Sequence, residues 1–161
     1  MLVPFEGVAQ KLVFRKSLSE VPQTVAFFYI SSNGAVVVRN PADYIPAMIE
    51  WAGGRYALSH LAASDISGSS VTVSMEDFYT ATRDADYLVY NAAIDAPIES
   101  MDELIAKNEL LADFKAVKEG RVWCADRYLY QATDIVSRLI LDFHHMLLED
   151  GADMTFLRKI Q

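Results

Sequence analysis

Few residues in this sequence are of the kinds that carry out chemistry. His144 and His145 form its one adjacent histidine pair, and His60 is the only other histidine. Neighbouring residues on a helix point about 100° apart, so such a pair does not grip one metal as an i, i+4 pair does. One packed and one exposed histidine is the expectation. Cys124 is the single cysteine; in an apolar strand-like run it reads as a buried, inert thiol, with no base signposted nearby. Gly53-Gly54 lacks the spacing of a dinucleotide or phosphate loop and follows a helical pattern, whereas those loops follow a strand. It reads as a helix stop. Glu99, Asp102, Glu103 and Glu109 read as a solvated acidic face rather than a catalytic pair. None of these argues for an enzyme, and no resident cofactor or metal is expected.

Polar and aromatic residues gather instead where strands are expected to end. Tyr29 to Asn33 follow the first, Asn91 and Asp95 the third, and Asp126, Arg127, Tyr128, Tyr130 and Gln131 the last. In open α/β sheets, ligands bind outside the carboxyl ends of strands. Tyrosine and arginine suit a rim that receives a bulky aromatic or anionic ligand, by stacking and by charge-assisted hydrogen bonds. Loops are polar in any protein, so these residues leave a binding rim and an ordinary loop surface both open.

The elements that must position them alternate between two periods. "GVAQKLVFRKSLSEV" (7–21) carries Val8, Leu12, Val13 and Leu18 at helical spacing. "TVAFFYI" (24–30) is apolar on both faces, as a central strand is. "SSNG" leads into a second strand, "AVVV" (35–38), as a hairpin through Asn33-Gly34. A helix follows from near Tyr44, with Pro46 in its first turn and Ile45, Met48, Ile49 and Ala52 on one stripe. "LSHLAASDISGSS" (58–70) reads as an exposed connection. Ser74 caps a short helix over 73–84, and "ADYLVYNA" (85–92) is a buried strand. Ser100 and Glu103 form a capping box at the next helix. "LLADFKAVKEG" (110–120) is another short helix ending at Gly120, and "RVWCAD" (121–126) is a strand. The longest helix spans 133–151, with Gly151 as its stop. Strand and helix in alternation predict an α/β fold, a mostly parallel sheet with helices on both faces.

Composition bounds the rest. The chain's 161 residues suffice for one well-filled domain. Its net charge of −8 argues against nucleic acid, which needs a basic surface. The first residues, "MLVPFEGVAQKLVFRKS", lack the basic region and unbroken apolar core of a signal peptide, and no apolar run is long enough to span a membrane.

Certain motifs resemble a known family. Ala52-Gly53-Gly54 closes a helix that follows a strand and a glycine turn. Ser74-Met75-Glu76 starts the next helix, and Ala85-Asp86 leads into a strand. Ala116-Val117-Lys118-Glu119-Gly120-Arg121-Val122 enters the last strand. In this order they resemble the C-terminal lobe of extracytoplasmic substrate-binding proteins, over about residues 24–160. The subgroup is the one that serves ABC importers of ferric siderophores, haem and cobalamin. The resemblance implies a three-layer α/β/α lobe, one half of a two-lobe fold. Residues 1–22 then correspond to the end of an inter-lobe connecting helix, and 23–161 to the C-terminal binding lobe. The other lobe, an export signal and a lipid anchor are expected upstream. A lobe without its partner exposes an apolar face, so self-association is expected too.

Carried over position by position, the resemblance places ligand contacts at Asp43 and Tyr44, at Asn91, and at Tyr128 and Tyr130. Ser32 and Asn33 join them from the first strand end, and Arg39 and Arg127 are the arginines available to an anionic complex. Asn91 is uncharged, which leaves a strongly anionic ferric complex open to question. The implied activity is binding of an iron complex, haem or a corrinoid and delivery to a permease. A free-standing small α/β enzyme or signalling domain, with Asp126 at its centre, is the rival reading, and an interaction module is a third.

Overall fold

The computed structural model describes residues 22–61, 68–129 and 135–161. The helix expected over 7–21, and Tyr130 and Gln131 with it, lie outside the described residues.

The sheet is built around β1 (Thr24–Ile30), whose β-branched and aromatic run is buried along most of its length, as a strand covered on both faces must be. β5 (Tyr87–Asn91) and β6 (Val122–Ala125) are buried throughout and parallel to it, Phe28 opposite Tyr90 and Tyr90 opposite Cys124. β2 (Val36–Arg39) returns antiparallel to β1, through a turn in which Gly34 adopts φ +83°. The full order is β4-β2-β1-β5-β6-β7, where β4 is Ser70–Val73 and β7 is Leu157–Lys159. A two-residue strand, β3 (Arg55–Tyr56), lies beside the start of β1. The parallel centre is therefore bordered by antiparallel strands on both sides. Those borders depart from the sequence reading, in which Ser70 ends the connection over 58–70, Val73 opens the helix over 73–84, and no strand follows the last helix. Both are short edge strands with only partial burial, so packing left little pattern on their sequence.

Helices cover both faces. α1 (Tyr44–Trp51) and α5 (Ile135–Leu148) pack together on one, where Phe27 meets Phe143 edge to face at 6.5 Å. On the other, α2 (Met75–Thr82) brings Phe78 within 4.7 Å of Phe28. α3 (Met101–Lys107) and α4 (Lys115–Lys118) continue the chain on its way to β6. The three-layer α/β/α arrangement is as expected, and so are the caps at Ser74 and Ser100; Asp43, expected as a ligand contact, is the cap of α1, and each of the three accepts from an N–H of its helix's first turn. The single helix expected over 110–120 is broken. A 3-10 turn, Glu109–Asp113, is separated from α4 by an extended Phe114, whose ring turns inward to stack on Phe78 at 5.6 Å.

The motifs have local physical reasons. Gly53 adopts φ +105°, which side-chain-bearing residues rarely tolerate. A Cβ on Gly54 would stand 3.2 Å from Ile49 and Leu147 side-chain carbons and 3.3 Å from the Gln23 carbonyl. The pair therefore lets α1 stop, turn and lie against α5 and the start of β1. His144 seals the junction, its Nδ1–H donating to the Ala52 carbonyl at 2.9 Å, while the less buried His145 pairs with Asp150. Asp86 accepts from the Thr24 N–H at 2.9 Å and from Lys115 Nζ at 2.6 Å, joining the starts of β1 and β5 to α4.

Candidate functional site

The carboxyl ends of β1, β5 and β6 lie at one edge of the sheet, and the loops that leave them form its rim. β5 ends in Asn91, 2% exposed, whose Oδ1 accepts from the Ala93 N–H at 3.3 Å and starts the turn of the 92–97 loop. β6 ends at Ala125, after which Asp126 accepts from the Tyr128 N–H at 2.7 Å. This local turn brings Arg127 and Tyr128 to the surface with the guanidinium 5.6 Å from the ring centre. Tyr128 is 58% exposed. Among the described residues no carboxylate pairs with Arg127.

Three cavities run along this edge and share lining residues. The first, about 130 Å³, lies on the α1/α5 face of the sheet, reaching the edge at Asn91 and Ile94 from Phe27 and Arg39 farther back. Ile94, which is 55% exposed, also lines the second, about 520 Å³, with the rest of the 92–97 loop, Arg127 and Tyr128. Arg127 and Pro97 pass on into the third, about 630 Å³, bounded by Cys124–Asp126 and by Met154–Arg158. The result is a trough across the carboxyl edge, with Arg127 between its two larger parts.

The loop that walls the middle of the trough is pinned. Tyr90, at the end of β5, donates its hydroxyl to Asp95 and accepts from the Ile30 N–H at 3.3 Å. Lys107 Nζ meets the same Asp95 carboxylate at 2.7 Å and lies 5.3 Å from the Tyr90 ring centre. Burial works against the charge on Asp95, but Lys107 and the Tyr90 hydroxyl outweigh it and hold its carboxyl below the usual range. Burial, followed by the Asp95 contact, pushes the Tyr90 phenol well above its usual value, so it remains a donor.

The sequence-derived residues divide accordingly. Arg127 and Tyr128 share the middle cavity, and Arg39 and Asn91 share the small one. Arg39 is held there by its own neighbours: Asp43 accepts from its Nε at 2.8 Å and its Nη2 at 2.7 Å, with side chains 11% and 9% exposed. The same Asp43 oxygen accepts from the Ile45 N–H, and the guanidinium faces the Tyr44 ring at 5.7 Å. Ser32 and Asn33 lie exposed in the β1–β2 turn, where Asn33 Oδ1 accepts from Ser31 Oγ and the Ala35 N–H. Burial pushes the Cys124 thiol up, away from the reactive thiolate. Among the described residues no group of three or more His, Cys, Asp and Glu side chains is placed to hold a metal. The sequence reading passed over Ile94, Pro97 and Met154–Arg158. Ile94 and Pro97 carried no polar signal, and the last segment followed a helix taken as the end of the fold.

A family model described as "Periplasmic binding protein" matches residues 9–129. No curated protein matches the chain significantly. A periplasmic heme-binding protein from Pseudomonas aeruginosa is similar in structure, with a TM-score of 0.71 at 14% identity over 98% of this chain and 56% of that one. The periplasmic heme-binding protein HutB of Vibrio cholerae gives 0.66 at 15% identity, over 91% and 53% of the two chains. The siderophore periplasmic binding protein from the fuscachelin gene cluster of Thermobifida fusca gives 0.66 at 19%, over 90% and 51%. At these identities the likeness is one of fold. The chain spans about half the length of the structures it matches.

Proposed function

The chain belongs to the periplasmic binding protein family, and from that premise we propose that it forms one wall of the ligand cleft in an extracytoplasmic receptor of an ABC importer. The ligand class is an iron–siderophore complex, haem or a corrinoid, which the receptor hands to a membrane permease. One observation carries the reading: the trough across the carboxyl edge, with Arg127 over Tyr128 between its two larger cavities and no carboxylate neutralising it among the described residues. An exposed guanidinium beside an aromatic ring suits a broad ligand with an anionic margin. The haem and siderophore classes are supported by what the structural relatives are named for; the corrinoid rests on the sequence resemblance alone. The reaction is binding, with two lobes enclosing the ligand. A second lobe, a lipid anchor and self-association of the lone lobe through the trough's apolar rim, Ile94 and Tyr128, belong to the same proposal. The test is titration of the intact receptor with hemin, cyanocobalamin and a ferric tris-hydroxamate, followed by tryptophan fluorescence. Saturable quenching by at least one is expected. A receptor that answers to none of them overturns the reading.

A further inference from the structure

The largest cavity of the trough has as one wall the segment Met154–Arg158, which runs into β7. On one side this segment is tied to β6: Ala125 pairs with Leu157, and the Asp126 N–H donates to the Phe156 carbonyl at 2.7 Å. Among the described residues β7 ends the order of the sheet, and no further strand there takes up the remaining N–H groups. They turn inward instead. The N–H groups of Thr155, Phe156 and Leu157 converge on one carboxylate, that of Asp142, at 3.1, 2.5 and 3.1 Å.

Asp142 stands on the buried side of α5, among Leu139, Ile140, Phe143 and Met146, and is 3% exposed. A carboxylate there is costly, since burial penalises its charge; burial indeed pushes its pKa up, against the pull of the three N–H donors. An apolar residue would suit this stripe of the helix better, but it would leave three backbone donors without an acceptor. A row of successive N–H groups closing on one anion fixes the backbone that carries them. The wall so fixed reaches across the cavity, where Arg158 Nη2 donates to the Ile98 carbonyl at 3.0 Å, beside Pro97 and Glu99 of the opposite side.

We propose that Asp142 is the positioning residue of this part of the cleft: without touching the ligand, it holds the Met154–Arg158 wall where the ligand must meet it. The proposal rests on the reading of the trough as a ligand cleft. Phe156 and Leu157 also belong to the core, so the role is told from core support by binding compared at matched stability.

The experiment uses the intact receptor and Asp142→Asn, which keeps the shape of the side chain and loses part of its accepting capacity. Ile140→Val, on the same helix, serves as control, and denaturant is adjusted until the two variants are equally stable. Hydrogen exchange in the unmutated receptor is measured first. Protection of the Thr155, Phe156 and Leu157 amides comparable to that of α5 is expected, and exchange at open-loop rates overturns the proposal without any variant. In D142N these amides exchange faster while those of α5 do not, and affinity for whichever of hemin, cyanocobalamin or ferric tris-hydroxamate binds falls on the order of tenfold. The control keeps its affinity, and Asp142→Glu recovers part of the loss. A D142N receptor that binds as the control does removes the positioning role while the receptor reading stands. A parent receptor that binds none of the three probes removes both.

Discussion

Arg39 and Arg127 are both arginines next to a tyrosine in sequence or space, yet the fold gives them opposite tasks. Arg39 is charge-neutralised by Asp43, largely buried and facing Tyr44. Arg127 is on the rim, without a carboxylate partner among the described residues. Removing Arg39 leaves the Asp43 carboxylate nearly buried and half satisfied, so Arg39→Ala should lower stability by about 3 kcal/mol, read from urea unfolding. Arg127→Ala should change stability by less than about 0.5 kcal/mol and weaken ligand binding about tenfold or more, as loss of a charge-assisted contact does. The reverse pattern would give the anion-holding task to Arg39. The sequence proposed both residues because residue type and position near a strand end were all it offered. It could not show that an arginine at the end of β2 and an acid at the cap of α1 would meet. That meeting is made by the turn between them, where the Asp43 N–H donates to the Asn40 carbonyl at 2.8 Å and the Ala42 N–H to Asn40 Oδ1 at 3.0 Å, while the antiparallel return of β2 carries Arg39 away from the carboxyl edge of β1.

Among the elements, those buried on both sides were legible and those at the border were not. β1, β5 and β6 stand where their apolar runs stand, and α1 starts at the Asp43 cap with Pro46 in its first turn. β4 and β7 are edge strands of four and three residues with only partial burial, so their sequences carry little of the strand period. The trough's far wall belongs to β7, and for that reason it was missed. The junction of β1, β5 and α4 through Asp86 was visible only as a motif; its physics is testable by pH. Burial disfavours the Asp86 charge, but Lys115 and the Thr24 N–H and hydroxyl outweigh it, and its carboxyl ionises below the usual range. The folded chain therefore binds fewer protons than the unfolded one through that range. The stability Asp86 contributes is complete above its unfolded value of about 4 and is lost as pH falls through its lower folded value. Urea midpoints measured between about pH 5 and pH 2.5 should thus fall less steeply for Asp86→Asn than for the parent. Equal slopes would mean that the Asp86–Lys115 pair contributes nothing to the acid limb.

At the scale of the molecule, the sheet has a polarity, and the chain's two tryptophans stand at different distances from its carboxyl edge. Trp123 is in β6, two residues before the strand's carboxyl end and four before Arg127. Trp51 closes α1, next to the Gly53-Gly54 stop that packs on Gln23, just ahead of β1. The register sets Trp123 level with Phe27, through the pairs Phe27–Val89 and Val89–Trp123, which puts it about 10 Å along the strands from the start of β1 at the usual rise per residue. A ligand seated in the trough with a broad absorbing ring system should quench Trp123 more strongly than Trp51. In the intact receptor, Trp123→Phe should then remove the larger part of the quenching contributed by this lobe and Trp51→Phe the smaller part. Trp123 packs against the edge strand, with Lys159 Nζ 5.9 Å from its ring centre, so the substitution to phenylalanine keeps an aromatic face there and disturbs the wall little. Quenching that follows Trp51 instead would put the ligand at the amino edge of the sheet. The trough would then be an ordinary loop surface, the alternative that the loop residues alone left open.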